Sequence, residues 1–383
     1  MTIKATTENV TSLVATKLTG ALAAVDASAL TGISVGPQSG ASDPTISTNP
    51  SGVGIVYENT TSGEMFICTS ATAGDNVWVN VGSGSGDIGV FGAVGDRGVF
   101  GGGRTASLVN NIDYVSISTI GNATDFGNLT VSRYDSGTAS NGSRGVWYSG
   151  SGTASTRFNT IDYVTIATTG NATNFGTATS ARNCAENGAS NITRGIFFAG
   201  DIGGANINNI DYITIATTGN GVDFGDCISA TRNGAAVGSD TRACFGGGGD
   251  PARNQIQYVT IATTGNAIDF GDLTNSTYNT AACSNGIRGV WSGGFRPVDG
   301  ITVARDDIEY VTIATTGNAT DFGDLTVVRS EHGGAASPIR GMFCGGSGNV
   351  ITMDYFTVQT VGNATDFGDL VVGRRGPNGL SGD

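Results

Sequence analysis

Residues 308–326 read IEYVTIATTGNATDFGDLT, and close copies of this stretch occur six times, with their tyrosines at Tyr114, Tyr163, Tyr212, Tyr258, Tyr310 and Tyr355. The mean interval is about 48 residues, and a period of that size marks a repeat architecture. Thr, Val and Ile alternate at period two in the first half of the stretch, which reads as a strand; DFGDL supplies another. Upstream of each copy lies an Arg-led apolar run: RGVFGGG at Arg97, RGVWYSG at Arg144, RGIFFAG at Arg194, RACFGGG at Arg242, RGVWSGG at Arg288 and RGMFCGG at Arg340. Before these runs come segments of small residues such as NTAACSNG, 279–286. Four strands in a unit of roughly 45–50 residues is the signature of a β-propeller blade, whereas a solenoid needs shorter coils or helices. The expected fold is all-β, a six-bladed propeller. Innermost strands crowd a central channel, which explains their Ala, Gly and Ser. The rings of Phe100, Trp147, Phe197, Phe245, Trp291 and Phe343 are expected to wedge between blades and supply most of the buried apolar area.

Spacing separates constant from variable parts. Tyr to the Phe of DFG is 12 residues in all six units, and that Phe to the next strand-leading Arg is 18 or 19. From that Arg to the following Tyr the distance is 17, 19, 18, 16, 22 and 15 residues. Strand direction alternates within a blade. The loops between second and third strands therefore share one face with the outer-to-inner connections, and the remaining turns share the other. Only five small-residue strands lie between the six Arg-led runs. The tail RRGPNGLSGD (374–383) is expected to supply the sixth and close the first blade, with GVFGAVGD (89–96) as the competing segment. Closure by both chain ends removes free sheet edges.

The composition agrees with short strands and tight turns. The chain has 383 residues, 62 of them Gly, with 13% charged residues and 7 Pro. Strong helix formers are scarce. No apolar run of about 18 residues predicts a membrane span, and the first residues lack the pattern of a secretory signal. The net charge of −13 argues against nucleic-acid partners and anionic membranes. Lys4 and Lys17 are the only lysines; every other cation is Arg, the residue of fixed planar contacts. The repeat arginines Arg144, Arg194, Arg242, Arg288 and Arg340 are expected to pair with buried carboxylates or carbonyls. Six scattered cysteines form no C-x-x-C pair and read as small buried residues.

The N-terminal region differs. Residues 1–53 read as an attachment segment, LTGALAAVDASALTGI (18–33), and a Ser/Gly/Pro-rich linker (34–52). Residues 54–86 hold three strand-like runs, a small three-stranded module, and 87–383 form the propeller.

Chemistry-bearing motifs are sparse. His332 is the only histidine, so a copper site, a multi-His metal site or a Ser-His-Asp triad lacks its partners, and no cofactor is expected. GGGG (246–249) precedes no helix, which excludes a phosphate loop. NATDFGD is similar to the Asp-box turn of sialidases and is read as a fold-supporting turn. Paired carboxylates for glycan cleavage are offered only by Asp299, Asp306, Asp307 and Glu309. Binding is expected instead on the variable loops, where rigid scaffolds present recognition residues. The candidates are Arg104, Arg157, Phe158, Asn206, Asn208, Arg253, Phe295, Arg296, Asp299 and Arg305, with Phe295 and Arg296 free of any repeat position.

The order Arg-led strand, Gly doublet, then Tyr at fixed spacing resembles the kelch repeat, with Phe of DFG in place of the usual Trp. The wording IDYVTIATTGNATDFGDL resembles kelch-like repeats in virion structural proteins of marine tailed bacteriophages, including cyanophages. Residues 18–33 and 54–82 are similar to linker and small β segments of phage fibre proteins. The resemblance implies a kelch-like propeller in a non-enzymatic virion protein, assembled in the host cytoplasm. It would be a trimeric fibre or tail-appendage subunit that meets other virion proteins through its N-terminal region and a host surface receptor, such as a glycan, through its propeller. A decoration protein without receptor contact and a glycan-cleaving tail enzyme are the alternatives.

Overall fold

Each third strand carries apolar residues on both faces, such as Ile112 on one and Val115 on the other, while the Thr or Ser that follows is exposed. This is seen in a computed structural model of the protein, which describes residues 94–184, 188–299 and 301–383, together with residues 38–80 apart from 46, 49, 51, 62–63 and 73–74. Among the described residues the fold is all-β, without a helix. The chain divides into two compact units, residues 1–87 and 88–383.

In the larger unit the strands form six antiparallel sheets, each ordered inner, second, third, outer. Sheet 1 is built from Asn378–Gly382, Arg97–Gly101, Asn111–Ser116 and Thr124–Asn128. Sheet 2 follows with Gly137–Ser140, Arg144–Ser151, Arg157–Thr165 and Thr173–Thr177. Sheet 3 holds Ala189–Ser190, Arg194–Asp201, Asn206–Thr214 and Val222–Thr231, and sheet 4 holds Ala235–Gly238, Arg242–Gly246, Arg253–Thr260 and Ile268–Thr277. In sheet 5, Ala281–Ser284, Arg288–Ser292, Ile301–Thr312 and Thr320–Arg329 are joined by a short fifth strand, Phe295–Val298. Sheet 6 comprises Gly333–Ala336, Arg340–Cys344, Thr352–Thr357 and Thr365–Asp369. The C-terminal strand occupies the inner position of sheet 1, with Leu380 opposite Val99. The competing segment 89–96 falls largely outside the described residues.

The core lies between sheets. Ile112 and Phe126 of sheet 1 pack with Trp147, Val164 and Ile166 of sheet 2. Val115 and Ile117, on the opposite face of the same strand, pack with Met342, Met353 and Phe367 of sheet 6. Equivalent clusters fill the other four junctions. Tyr and Phe of each repeat meet edge to face, from Tyr310–Phe322 at 5.7 Å to Tyr114–Phe126 at 5.9 Å. The arrangement is propeller-like. Small residues of all six inner strands surround a cavity of about 60 Å³. Inner strands pass so closely that a Cβ on Gly334 would lie 2.4 Å from the Ala282 carbonyl oxygen, which is why these strands are Gly- and Ala-rich.

The constant wording of the repeat is explained by what it does between sheets. The strand-leading arginines stack on the Tyr of their own sheet, Arg288 at 4.4 Å and Arg97 at 4.8 Å from the ring centroid, a favourable cation–π geometry. Their Nη1 groups then donate to carbonyls of the next sheet's turn, Arg144 to Ile215 and Ala216, each at 2.9 Å. Of the expected partners, carboxylates or carbonyls, these arginines take carbonyls. In return the Asn of each GNAT turn accepts an outer-strand N–H of the preceding sheet; Asn171 Oδ1 lies 3.0 Å from Asn128 N. The Gly of DFG sits at a β-bulge; Gly127 has φ 151°, and a Cβ there would lie 2.3 Å from the Gly170 carbonyl oxygen. All three contacts also join sheet 6 to sheet 1, through Arg340–Ile117, Asn122–Asp369 and Gly368–Gly121.

All six cysteines are buried, and none is in a disulfide. Burial pushes the thiols of Cys227, Cys244, Cys283 and Cys344 up to about 12. His332 is fully buried beside Ser292 Oγ, 2.8 Å from its Nε2. Burial and then the Arg329 cation hold its imidazole well below its ordinary range, so it is a neutral core residue.

The N-terminal unit departs from expectation. Its sheet has four strands rather than three: Gln38–Gly40, Val56–Asn59, Met65–Thr72 and Asp75–Asn80. The extra strand comes from the segment read as linker and pairs in parallel with Val56–Asn59. A three-residue strand inside a Ser/Gly/Pro-rich stretch has no periodicity to reveal it. The attachment segment up to residue 37 lies outside the described residues.

Candidate binding site

The end of the larger unit where loop length varies is tied down by backbone bonds. The small-residue pair ending each second strand turns through positive φ, as Gly247 (73°) and Gly248 (122°) do. The turn aims the second residue's N–H at the neighbouring outer-to-inner connector: Gly248 N donates to Thr277 O and Gly294 N to Arg329 O, both at 2.9 Å. Loops and connectors thus form one surface, as the alternation of strand direction requires.

On that surface the ten candidate residues are not equivalent. Arg104 is half-buried, its guanidinium 6.0 Å from the centre of the Tyr134 ring. Phe158 is half-buried against Gly152, and Asn208 and Arg253 are half-buried in their strands. Asp299 is exposed at the tip of the extra hairpin, with φ 48°. Phe295 and Arg296 are half-buried and engaged by their neighbours. Phe295 exchanges two backbone hydrogen bonds with Tyr278 and packs on its ring at 5.7 Å. Arg296 is held by Asp307 at 2.5 Å, and Arg305 approaches the same carboxylate at 3.4 Å. The length of this loop is spent on a hairpin, Phe295–Val298 pairing with Ile301–Ala304, that fastens its aromatic and basic residues.

Two candidates, Arg157 and Asn206, do meet. They line a cavity of about 390 Å³ with Asp201 and Arg232. A second cavity of about 530 Å³, lined by Tyr278, Pro297 and Thr302, shares Arg232 and Asp250 with the first. Asp201 ends the second strand of sheet 3 and is 4% exposed. Its Oδ2 accepts from Arg232 Nη1 at 2.7 Å and lies 3.4 Å from Arg157 Nη2. Its Oδ1 accepts the Gly203 N–H. Burial pushes this carboxyl up, but the Gly203 amide, Arg232 and Arg157 outweigh burial and hold it below the usual carboxylate range. The other side of the Arg232 fork grips the exposed Asp250. Two guanidinia, two carboxylates and an aromatic ring line the paired cavities. Chemically this is a neutral, densely hydrogen-bonding recess whose donors and acceptors are fixed in place.

Arg232 and Tyr278 escaped the sequence reading because candidates were drawn from the loops after the second strands; Asp201, at the end of a second strand, and Asp250, within such a loop, had no feature that marked them out. Arg232 and Tyr278 lie on connectors that share the face. Arg232 carried a signal: it directly follows Thr231, which stands seven residues after its DFG Phe, where Arg133, Arg182, Arg329 and Arg374 stand in other units.

The carboxylates weighed for glycan cleavage are arranged otherwise. Asp307 is engaged by Arg296 and Arg305, and Glu309 is buried, accepting the Thr274 N–H at 2.6 Å. Oxygens of Asp306, Asp307 and Asp324 lie within 4.8 Å of one another.

No protein-family model matches the chain, and no curated protein is similar to it.

Proposed function

We propose that this chain is a virion structural protein of a tailed bacteriophage: a non-enzymatic fibre or tail-appendage subunit whose larger unit is a closed, six-bladed, kelch-like β-propeller that binds the host cell surface. The observation that carries the reading is the inequality of the two ends of the propeller-like unit. At one end every sheet repeats the same Arg–carbonyl and Asn–amide contacts, as at Arg144 and Asn171. At the other, individual loops build a charge-balanced recess. A scaffold with one uniform end and one individual end is suited to recognition by its loops. Closure of the ring is supported by the C-terminal strand in sheet 1 and by the sheet 6–sheet 1 contacts. The kelch-like wording and the fibre-like N-terminal segments supply the virion context. Residues 1–85 would contact other virion proteins and assemble the trimer, because a thin stalk of one chain buries too little surface by itself.

Fluorescently labelled full-length protein, incubated with a panel of marine bacteria including cyanobacteria, should adsorb saturably to a subset of strains. Absence of adsorption across a broad panel would defeat the receptor reading. Sedimentation of the same protein should give roughly three times the 38.6 kDa chain mass; a monomer would remove the trimer.

A further inference from the structure

The paired cavities around Arg232 have a composition that restricts what they can hold. Arg157 and Arg232 face Asp201 and Asp250, so the lining carries no net charge, and the acidic chain around it disfavours a polyanion. A cationic ligand would have to compete with Arg232 for both carboxylates. An apolar ligand would strand the polar groups of the first cavity, which costs free energy. A ligand that both donates and accepts at closely spaced points is not penalised in either way. Vicinal hydroxyl groups do this: each donates to a carboxylate and accepts from a guanidinium N–H. Tyr278, packed on Phe295, adds an aromatic ring to the lining of the second cavity, and an aromatic face with its negative quadrupole suits polarised C–H groups. Volumes of about 390 and 530 Å³ lie within the range of small-molecule sites, which is ~300–1,000 Å³.

We infer that this two-lobed recess, with Arg157, Asp201, Asn206, Arg232, Asp250 and Tyr278 as its working side chains, binds a neutral saccharide, one sugar ring lying in each lobe across the Arg232–Asp250 pair. The inference rests on the reading of this face as the surface-binding end and gives it a ligand class and a location. Arg157 and Arg232 are the donors, the carboxylates of Asp201 and Asp250 the acceptors, and the Tyr278 ring the stacking platform. Asp201 is the anchor, because its burial and three donors fix both guanidinia. Asp250, at the mouth, is the residue whose loss disturbs the scaffold least.

The test uses the full-length chain and its D250A, N206A and Y278A variants, with melting curves run alongside. The probes are neutral oligosaccharides of two to six hexoses (glucans, mannans and galactans) and, as the charged comparison, oligouronates of the same length. At least one neutral series should bind, with affinity reduced tenfold or more by D250A and Y278A and severalfold by N206A, and with oligouronates weaker than their neutral counterparts. An I339S variant, altered on the uniform end, should bind like the parent. Binding of no neutral series, tighter binding of uronates, or equal binding by folded D250A and N206A variants would each overturn the site. Adsorption to cells separates the two levels. If the parent protein and the folded variants adsorb equally, the recess is overturned and the surface-binding reading stands. If the parent binds a neutral oligosaccharide through Asp250 but adsorbs to no cell, the recess stands and the host-surface reading falls.

Discussion

Asp113, Asp162, Asp211 and Asp354 each precede the repeat Tyr and are fully buried. Each pairs with a buried Arg seven residues past a DFG Phe; Arg133–Asp162 is 2.9 Å and Arg329–Asp354 is 2.7 Å. In the two remaining junctions Thr231 and Thr277 replace the Arg, and Gln257 and Glu309 replace the Asp. Gln257 and Glu309 still accept from the outer strand of the preceding sheet: Gln257 Oε1 takes the Ile228 N–H at 2.7 Å and Glu309 Oε2 that of Thr274 at 2.6 Å. Two outcomes follow from these residues. Asp162→Ala leaves the Arg133 cation buried without its counterion, at a cost of about 3–5 kcal/mol, and adding Arg133→Met should recover most of that loss in urea titrations. Glu309 has no Arg at the paired position, and burial raises its carboxyl above its ordinary 4.5. The folded state therefore binds more protons than the unfolded state once pH exceeds 4.5, and stability falls as pH rises through the folded-state value. Glu309→Gln, the residue type that sheet 4 already uses, should raise the melting temperature at pH 7 and leave it little changed at pH 4. A variant less stable than the parent at pH 7 would contradict this account.

At the scale of the element, the C-terminal strand is the most exposed to test. Asn378–Gly382 pairs with Arg97–Gly101 at five positions, and Leu380 is 5% exposed in the cluster between sheets 1 and 2. Removing residues 378–383 keeps Arg374 and its bond to Asp113 but bares the edge of sheet 1. Lost backbone pairing and the buried leucine together amount to on the order of 5 kcal/mol or more, so the melting temperature should drop sharply; an unchanged curve would deny the strand its structural part. This strand was legible in the sequence because five internal copies showed what was missing and where. The same comparison exposed the second, third and outer strands. Gln38–Gly40 and the Phe295–Val298 strand have no copies, and neither could be read. The recess suffers from the same lack. Arg157 and Asn206 were found because they lie on loops of unequal length. The Arg232–Asp201 bond joins residues 31 apart, and only the one-place offset of Arg232 from the Arg of other units hints at it.

For the whole molecule, the proposed ring makes a demand that a mere stack of sheets does not. If it is closed, the junction where the chain begins and ends is mechanically equivalent to the other five. Residues 95–96 already touch residues 382–383: Asp96 N donates to Asp383 Oδ1 at 2.6 Å, and a Cβ on Gly95 would lie 2.3 Å from the Gly382 carbonyl carbon. Joining residue 383 to residue 94 through two or three glycines thus spans little distance and costs little loop entropy. The new ends can be opened between Gly142 and Ser143, in the turn joining the inner and second strands of sheet 2. That turn is held by Asn141 Oδ1, which accepts the N–H groups of Ser143 and Arg144 at 3.2 and 2.8 Å. Sheet 2 would then be completed by a C-terminal inner strand, as sheet 1 is in the parent. Nothing else changes, since the Arg–carbonyl, Asn–amide and Gly–carbonyl contacts at this junction are those found at every other. Comparing permuted and unpermuted residues 94–383 by thermal melting should give midpoints within about 3 °C, the shift produced by ~1 kcal/mol in a unit of this size. If the unpermuted unit folds and the permuted one does not, the first junction differs from the rest and the six sheets do not form an equivalent closed ring.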